Sequence, residues 1–321
     1  MKAPELSDIK GPYEISAISG YVVFTGPKLI IYHQDGTFVA SRPDLGMVRK
    51  CALVSSNTIL IDYSAHGFYS LISLTDGTEI WRTAQPKLDY TCNRFALSPN
   101  KRYAYDRYDL RGKLYFIEID LISGSLHKHQ IKNELRCVSD MICDQNGNVV
   151  FLEQHYEEND DSTKESISRN RISCVCNNSI TTPCFFKQIY QWEFQHSQIS
   201  RYFLGSKDVV LTQDLYVYTP QNKKTYSLIE NTERWENPGN SIAGYRLEMD
   251  RPYITLLYDT VNVVIDLNAR KMIARYKADY RFGCIVGSEY WVTTDDGLLK
   301  KPFPYIEEIP VQKRVFWSPF H

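Results

Sequence analysis

Short apolar runs separated by polar turn residues dominate the hydrophobic pattern of this chain. The runs are rich in β-branched and aromatic residues, and almost none continues into the 3.6-residue period of a helix. Residues 92–131 show the arrangement: one apolar run ends at Asn100, two more follow, and Gly124 leads into a fourth. Glycine, serine and asparagine suit the tight turns of antiparallel hairpins. The pattern therefore predicts units of four antiparallel strands.

The same order of runs and turns recurs along the whole chain. The first turn of each unit serves as a landmark, and these landmarks are Gly20, Asn57, Asn100, Asn146, Lys207, Arg251 and Glu289. They lie 37, 43, 46, 61, 44 and 38 residues apart, and all but one of these spacings is close to the length of a propeller blade. The longest spacing contains an acidic segment, which predicts an inserted loop at about 156–171. We predict seven units; six or eight are alternatives because the last unit is poorly formed.

A ring of such units would solve the problem of their exposed faces and edges. A lone four-stranded sheet has two open edges and cannot shield both of its faces. Sheets packed side by side around an axis bury these faces against each other, and the capping units that a solenoid needs are not evident. We therefore predict an all-β fold, in which residues 1–321 form a single seven-bladed β-propeller of four-stranded antiparallel blades.

One segment carries a resemblance to known propellers. Residues 69–81, which include the sequence LISLTDGTEIW, resemble a repeat of the quinoprotein-like and WD-repeat-like propeller superfamilies. The resemblance implies that the loops before the innermost strands share one face with the loops between second and third strands, and that partners bind to this face. It implies no cofactor, because no residue set for a bound quinone or a calcium-dependent lactonase matches this chain. Fold alone does not define function.

Charge and composition narrow the class of partner. The chain has 37 Lys and Arg against 38 Asp and Glu, whereas proteins that bind nucleic acid usually carry a basic surplus. No apolar run approaches the roughly 18 to 20 residues of a spanning helix, and the first residues lack the apolar stretch of a signal peptide. The 8 cysteines are spread through predicted strands, where reduced cysteine acts as a small hydrophobe. We expect a cytoplasmic protein that binds neither nucleic acid nor a membrane.

Candidate binding residues lie where the innermost strands are predicted to start. Five are arginines: Arg49, Arg94, Arg136, Arg201 and Arg281. Converging guanidinium groups can hold a carboxylate or phosphate through paired hydrogen bonds; the alternative is that each pairs with a nearby acid. The same connections carry the aromatic residues Tyr90, Trp235 and Tyr280. Such residues are frequent anchors at interfaces, or else pack between blades.

No catalytic set is evident in the sequence. It contains no nucleophile elbow, phosphate-binding glycine loop or zinc-protease sequence. His127 and His129 share one face of a predicted strand, as do Cys174 and Cys176 in another, but neither pair has further metal ligands. We therefore expect no metal and no cofactor.

Three functional hypotheses follow. The leading one is a non-enzymatic scaffold that binds a protein or peptide through one loop face of the propeller. The alternative is an enzyme or sensor that holds a small anionic ligand in the central funnel through the arginines. In a third, the chain is a subunit of a larger assembly that buries the rims of its blades.

The two ends of the chain are expected to complete the last blade. Residues 1–13 precede the first clear inner strand, and residues 311–317 partly alternate as an outer strand does. Pro302 and Pro304 cannot donate ladder hydrogen bonds, so we expect them at an edge or a bulge.

Overall fold

The computed structural model places twenty stretches of the chain. They are residues 5–11, 13–45, 48, 50–63, 67–86, 90–91, 95–110, 113–130, 138–144, 146–157, 167–176, 179–189, 202–203, 210–211, 216–219, 224–228, 244–248, 251–258, 261–277 and 283–307. These described residues form seven antiparallel sheets and one 3-10 helix, η1 (Leu6–Asp8).

The first three sheets contain thirteen strands. Sheet 1 consists of β1 (Glu14–Ile18), β2 (Tyr21–Thr25), β3 (Leu29–His33) and β4 (Phe38–Arg42). Sheet 2 consists of β5 (Lys50–Ser55), β6 (Thr58–Tyr63), β7 (Phe68–Ser73) and β8 (Glu79–Ala84). Sheet 3 consists of β9 (Tyr90–Thr91), β10 (Ala96–Leu97), β11 (Tyr103–Leu110), β12 (Lys113–Asp120) and β13 (Leu126–Gln130).

The remaining four sheets contain fifteen strands. Sheet 4 consists of β14 (Val138–Cys143), β15 (Val149–Glu157), β16 (Ile167–Cys176) and β17 (Ser179–Ile189). Sheet 5 consists of β18 (Tyr202–Phe203), β19 (Val210–Leu211), β20 (Tyr216–Thr219) and β21 (Lys224–Ser227). Sheet 6 consists of β22 (Gly244–Leu247), β23 (Tyr253–Leu257), β24 (Val261–Asp266) and β25 (Lys271–Lys277). Sheet 7 consists of β26 (Cys284–Val286), β27 (Glu289–Thr293) and β28 (Leu298–Pro302).

Six of the seven described sheets are meanders in which consecutive strands pair with each other. In sheet 3 the strands β10 to β13 form the same meander, with β10 as its first strand, and the two-residue β9 pairs with β11. The all-β architecture and its four-stranded antiparallel sheets confirm the predicted class. Second and third strands are buried along most of their length, as in β6 and β7 or β23 and β24. Fourth strands such as β8 and β13 have no buried residue and consist of half-buried and exposed positions. Continuous apolar runs therefore mark the middle strands, which are covered on both faces.

The predicted first turns agree with the structure wherever it describes them, with one small shift. Gly20, Asn57, Asn100, Asn146 and Arg251 all lie between the first and second strands of their sheets. Gly20 needs its positive φ of 87° to reverse the chain there. Glu289 is the first residue of β27, and the turn lies one residue earlier. Lys207 lies outside the described residues.

Buried hydrophobic clusters join successive sheets. Ile31 of sheet 1 shares a cluster with Ile59 of sheet 2, and Leu60 shares one with Ile117 of sheet 3. Sheets 3 and 4, and sheets 6 and 7, share clusters in the same way. Leu228, directly after β21 of sheet 5, belongs to a cluster of sheet 6, and β14 of sheet 4 contacts β18 of sheet 5. One further cluster joins the two ends of the series, because Phe24 of sheet 1 packs with Trp291 of sheet 7.

The turn between third and fourth strands docks on the sheet before it. A Cβ on Gly124 in sheet 3 would meet the Trp81 ring of β8 at 2.8 Å, and Trp81 Nε1 donates a 3.1 Å hydrogen bond to Leu121 O. A Cβ on Gly77 in sheet 2 would likewise clash with Ala40 of β4. Only glycine allows this close approach of the turn to the neighbouring strand.

The N-terminal segment lies beside sheet 7, where the turn of sheet 1 docks on it as the other turns dock on a fourth strand. A Cβ on Gly36, in the same turn of sheet 1, would lie 3.4 Å from Leu6 of η1. Gly11 N donates to Thr294 O (3.0 Å), and Thr293 Oγ1 donates to Tyr13 O (2.5 Å). The described part of residues 1–13 therefore packs against sheet 7, as expected, but as a 3-10 turn rather than an added strand.

Two local predictions, the inserted loop and the edge position of Pro302, can be compared with the structure. The inserted loop predicted at about 156–171 is too wide, because β15 continues to Glu157 and pairs there with Ile167 of β16; backbone pairing extends the hairpin despite its acidic composition. Residues 158–166 lie outside the described residues, as does the run 311–317. Pro302 ends β28, an edge strand of sheet 7, where its missing N–H is tolerated.

Candidate functional site

The predicted binding residues lie in the segments that lead into first strands. Arg49, Arg94, Arg136, Arg201 and Arg281 precede β5, β10, β14, β18 and β26 by one to three residues. All five, together with Trp235 and Tyr280, lie outside the described residues. Tyr90 belongs to β9, where its backbone is paired with Asp109. The convergence of these side chains stays a prediction.

Directly after Arg49, the structure builds a buried ionic network between sheets 2 and 3. Lys50 Nζ lies 2.5 Å from Asp106 Oδ1 and 3.8 Å from Asp62 Oδ2. The Tyr69 hydroxyl donates to Asp106 Oδ2 at 2.7 Å. The Lys50 side chain is only 2% exposed, and both carboxylates are fully buried. Charges this deep in a protein are tolerated only when they are paired and hydrogen-bonded.

Gln85 and Phe95 complete this network. Gln85 Nε2 donates to Asp62 Oδ1 (2.5 Å) and to Phe68 O (3.0 Å). The Lys50 ammonium lies 4.6 Å from the centre of the Phe95 ring, a cation–π distance. Since Lys50 is the first residue of β5 and Phe95 directly precedes β10, the network fixes the starts of two neighbouring first strands. It therefore fixes the strand ends that directly follow the segments containing Arg49 and Arg94.

Sequence reasoning missed this network, although a signal for it exists. Asp62 and Asp106 each interrupt an apolar or aromatic run, in TILIDY and YAYDRY. A charged residue inside a strand that is otherwise buried needs a partner. The sequence alone does not say that the partner is Lys50, 56 positions from Asp106.

A second polar contact joins the first strands of sheets 6 and 1 across sheet 7. The Arg246 guanidinium on β22 donates to Glu14 Oε2 (3.3 Å) and Ile15 O on β1, and to Gly283 O (3.5 Å) just before β26. Arg246 therefore connects the start of the chain's first sheet to the two last sheets.

Two cysteines lie in the electrostatic field of this contact. Burial raises the pKa of Cys51 to about 11, Glu14 adds to the rise, and Arg246 opposes it. Burial also raises the pKa of Cys284. Both thiols are therefore protonated at neutral pH, and the thiol form is a poor nucleophile.

Alkylation should report this protonation. At pH 8, Cys51 in the folded protein should react with iodoacetamide at least about tenfold more slowly than an ordinary exposed thiol, because less thiolate is present. Site-resolved mass spectrometry measures the rate. The same protein in urea provides the control, in which Cys51 should react at the ordinary rate; equal rates in both states would contradict the assignment.

A small pocket opens at the opposite end of the first strands. Its volume is about 200 Å³, below the usual range of drug-sized ligand sites. It is lined by Ala17, Gly20, Gln34, Glu248, Arg251, Ile285 and Gly287. Arg251 donates to Gly287 O (2.9 Å), so its cation already has a partner. Among the described residues, no group of histidine, cysteine and acidic side chains is placed to hold a metal ion.

Comparison with known proteins gives fold relatives alone. No family model matches the chain, and no curated protein does. Hydrazine synthase of Kuenenia stuttgartiensis has 10% identity over 92% of this chain and 96% of that one, with a TM-score of 0.57. The Dos1 propeller has 10% identity over 92% and 80%, with a TM-score of 0.50. In its fold, the chain resembles β-propeller proteins.

The tricorn protease aligns less well. It has 14% identity over 92% of this chain and 34% of that one, with a TM-score of 0.47. At such low identities, hydrazine synthase and the Dos1 propeller establish a likeness of fold alone, and their activities do not carry over. None of the helices in the described stretches could cross a membrane.

Proposed function

We propose that the chain is a closed, seven-bladed β-propeller that acts as a non-enzymatic scaffold for a protein or peptide partner. Seven described sheets, one buried cluster between sheets 1 and 7, and the reach of Arg246 across sheet 7 support closure. The N-terminal turn η1, docked where a fourth strand of sheet 7 would lie, also supports it.

The position of the arginines before first strands carries the functional part of the proposal. In a ring of antiparallel meanders, all first strands start at the same face, so the segments that lead into them are neighbours. Five of the seven sheets have an arginine within three residues of that start. Arginine, tyrosine and tryptophan are the residues most enriched at the centres of interfaces. This face is therefore the proposed partner surface.

The buried network at Lys50 supports a preorganised surface. It anchors the starts of β5 and β10 to one another through charges that are almost fully buried. Loops on rigid strand ends lose less conformational entropy on binding than loops on mobile ones. The starts of β5 and β10 are therefore suited to presenting the recognition residues in the loops before them.

Paired substitutions on the proposed face test this function. Arg94→Ala combined with Arg281→Ala should weaken the binding of partners from the native host by about tenfold or more, since two interface arginines each contribute on the order of 1–2 kcal/mol. Capture on the immobilised protein, followed by quantitative mass spectrometry, identifies partners, and titration with the purified partner measures Kd.

Lys271→Ala is the matched control. Lys271 is exposed and begins β25, at the opposite end of its sheet from the first-strand starts, so this change should leave Kd within twofold of wild type. Unchanged binding by the double arginine variant would refute the proposed surface. Tight binding of inorganic phosphate or citrate that the double variant loses, without a captured protein, would favour the anion-binding alternative instead.

A further inference from the structure

The small pocket at the ends of the first strands lies where three sheets bring their first turns together. Gly20 belongs to the first turn of sheet 1, Arg251 to that of sheet 6 and Gly287 to that of sheet 7. Gly20 and Gly287 have positive φ values of 87° and 60°, which glycine adopts without strain. A Cβ added to either glycine would meet nothing within 4 Å. Two turns without side chains therefore border the pocket.

Charged residues of both signs line this pocket. Glu248 and Arg251 lie three positions apart in the first turn of sheet 6, yet they form no ion pair with each other. Arg251 donates to the Gly287 carbonyl oxygen, which carries no charge, so its guanidinium has no carboxylate partner in the described part of the chain. Glu248 interacts electrostatically with Arg246 of β22. The lining therefore contains a positive and a negative group that do not neutralise each other.

The rest of the lining limits the size and the character of a ligand. Ala17 of β1 and Ile285 of β26 contribute apolar surface. Gln34, whose backbone N–H donates to Gly20 O (2.9 Å), has a side-chain amide that can both donate and accept hydrogen bonds. The volume of about 200 Å³ suits a molecule of amino-acid size and is too small for a drug-sized ligand.

We propose that this pocket binds a small amino acid as its zwitterion, with the carboxylate at Arg251 and the ammonium group at Glu248. Hydrogen bonds between charged groups are roughly twice as strong as neutral ones, and a guanidinium can hold a carboxylate through two parallel N–H donors. Ala17 and Ile285 then contact a small aliphatic side chain. The site lies at the end of the first strands opposite to the proposed partner surface, so it goes beyond the scaffold function.

Charge balance favours a zwitterion over a simple anion or cation. Glu248 repels a carboxylate that lacks an ammonium group, and Arg251 repels an ammonium ion that lacks a carboxylate. A ligand with both groups leaves the net charge of the pocket unchanged, and charges removed from water are tolerated when they are paired and hydrogen-bonded. The two charged lining residues therefore select for a molecule that carries both groups.

Glycine-selective NMR gives a direct test on the unmodified protein. The chain has 16 glycines, so a sample with isotope label only at glycine gives few signals, and those of Gly20 and Gly287 report on the pocket. Titration with L-alanine should shift these two signals to saturation. Acetate and methylamine are the probes with a single charge, and each should bind about tenfold more weakly than L-alanine, because each lacks one charge-assisted hydrogen bond.

Variants that remove one charge separate the two contacts. Glu248→Gln should weaken L-alanine binding about tenfold and abolish the preference for L-alanine over acetate. Arg251→Gln should weaken it by a similar factor and abolish the preference over methylamine. Lys28→Gln is the matched control, because Lys28 lies in the turn between β2 and β3, at the opposite end of sheet 1 from Gly20; it should change neither the affinity nor the preference.

Three outcomes would overturn the proposal. Glycine signals that do not shift with L-alanine or glycine would exclude an amino-acid site. Acetate that binds to wild type as tightly as L-alanine would assign the pocket to a simple anion. Unchanged preferences in both Glu248→Gln and Arg251→Gln would place the ligand elsewhere. Arg94→Ala combined with Arg281→Ala should leave L-alanine binding intact, so the result is independent of the proposed partner surface.

Discussion

Lys50→Met should lower the free energy of unfolding by about 3–5 kcal/mol, the usual cost of removing one partner from a buried ion pair. The change preserves most of the side-chain volume but leaves Asp62 and Asp106 as two buried carboxylates without the ammonium that lies 3.8 and 2.5 Å from them. Urea denaturation followed by circular dichroism measures the loss. We expect the midpoint to fall with little change in the slope.

The partner substitution separates charge from packing. Asp106→Asn combined with Lys50→Met leaves one buried carboxylate instead of two, so the double variant should lose less stability than the sum of the single variants. Asp76→Asn is the surface control: Asp76 caps an exposed turn through Thr78 N, and its change should cost less than about 1 kcal/mol. Additive losses for Lys50 and Asp106 would show that the pair is not coupled.

The consequence for function follows from where Lys50 lies. If the network sets the start of β5, then Lys50→Met should also weaken the partner binding that depends on Arg94, although neither Lys50 nor Asp106 is exposed enough to touch a partner. Binding would then fall together with stability in this variant, whereas Asp76→Asn would change neither.

Some elements of this fold could be predicted from the sequence because their signals are local. Gly20 and Asn57 mark tight turns through their own backbone preferences, and the run YSLI in β7 is buried throughout because it is covered on both faces. Strand pairing within a sheet follows from such turns, since each connection is too short to reach any other neighbour.

Contacts between sheets could not be predicted in the same way. Arg246 and Glu14 are 232 positions apart, and neither residue differs in its local pattern from an ordinary charge at a strand end. The pairing arises only when the last sheets come to lie beside the first. The docking of Leu6 on Gly36 is similar, because a three-residue turn has no repeat signature of its own.

The chain after β28 of sheet 7 shows a different kind of limit. Alternation of apolar and polar residues predicts strands but not which sheet edge a strand joins. The residues expected to complete the last blade at the C-terminal side, 311–317, lie outside the described part of the chain. The described residues after Pro302 pair with sheet 6, where Ile306 forms a bridge with Arg275. The choice depends on the Lys301–Glu307 ion pair and the backbone bonds of Arg275, which no pattern of single residues encodes.

Gly283→Ala should have the next largest effect on stability, a loss of about 3 kcal/mol, at the upper end for overpacking a close-packed site. The added Cβ would lie 2.5 Å from Cε1 and from the hydroxyl oxygen of Tyr290. That ring cannot move aside, because it is fully buried and stacks on Tyr276 with 3.9 Å between ring centres. Gly283 N also donates to the Tyr290 hydroxyl (3.0 Å), and the Tyr276 hydroxyl donates to Pro302 O (2.9 Å).

Removing the obstructing ring provides the test of this mechanism. Tyr290→Leu alone should be destabilising because it leaves a cavity, but adding Gly283→Ala to it should cost little more, since the new methyl group then has room. Denaturant unfolding of the four proteins in the cycle gives the coupling energy, and a full additional loss in the double variant would exclude the steric explanation.

Because Gly283 directly precedes β26 and accepts a hydrogen bond from Arg246, its substitution strains the contact that links sheets 6, 7 and 1. Partner binding through Arg281, two residues away, should therefore weaken in Gly283→Ala and recover in the double variant if closure of the ring sets the shape of the loop face.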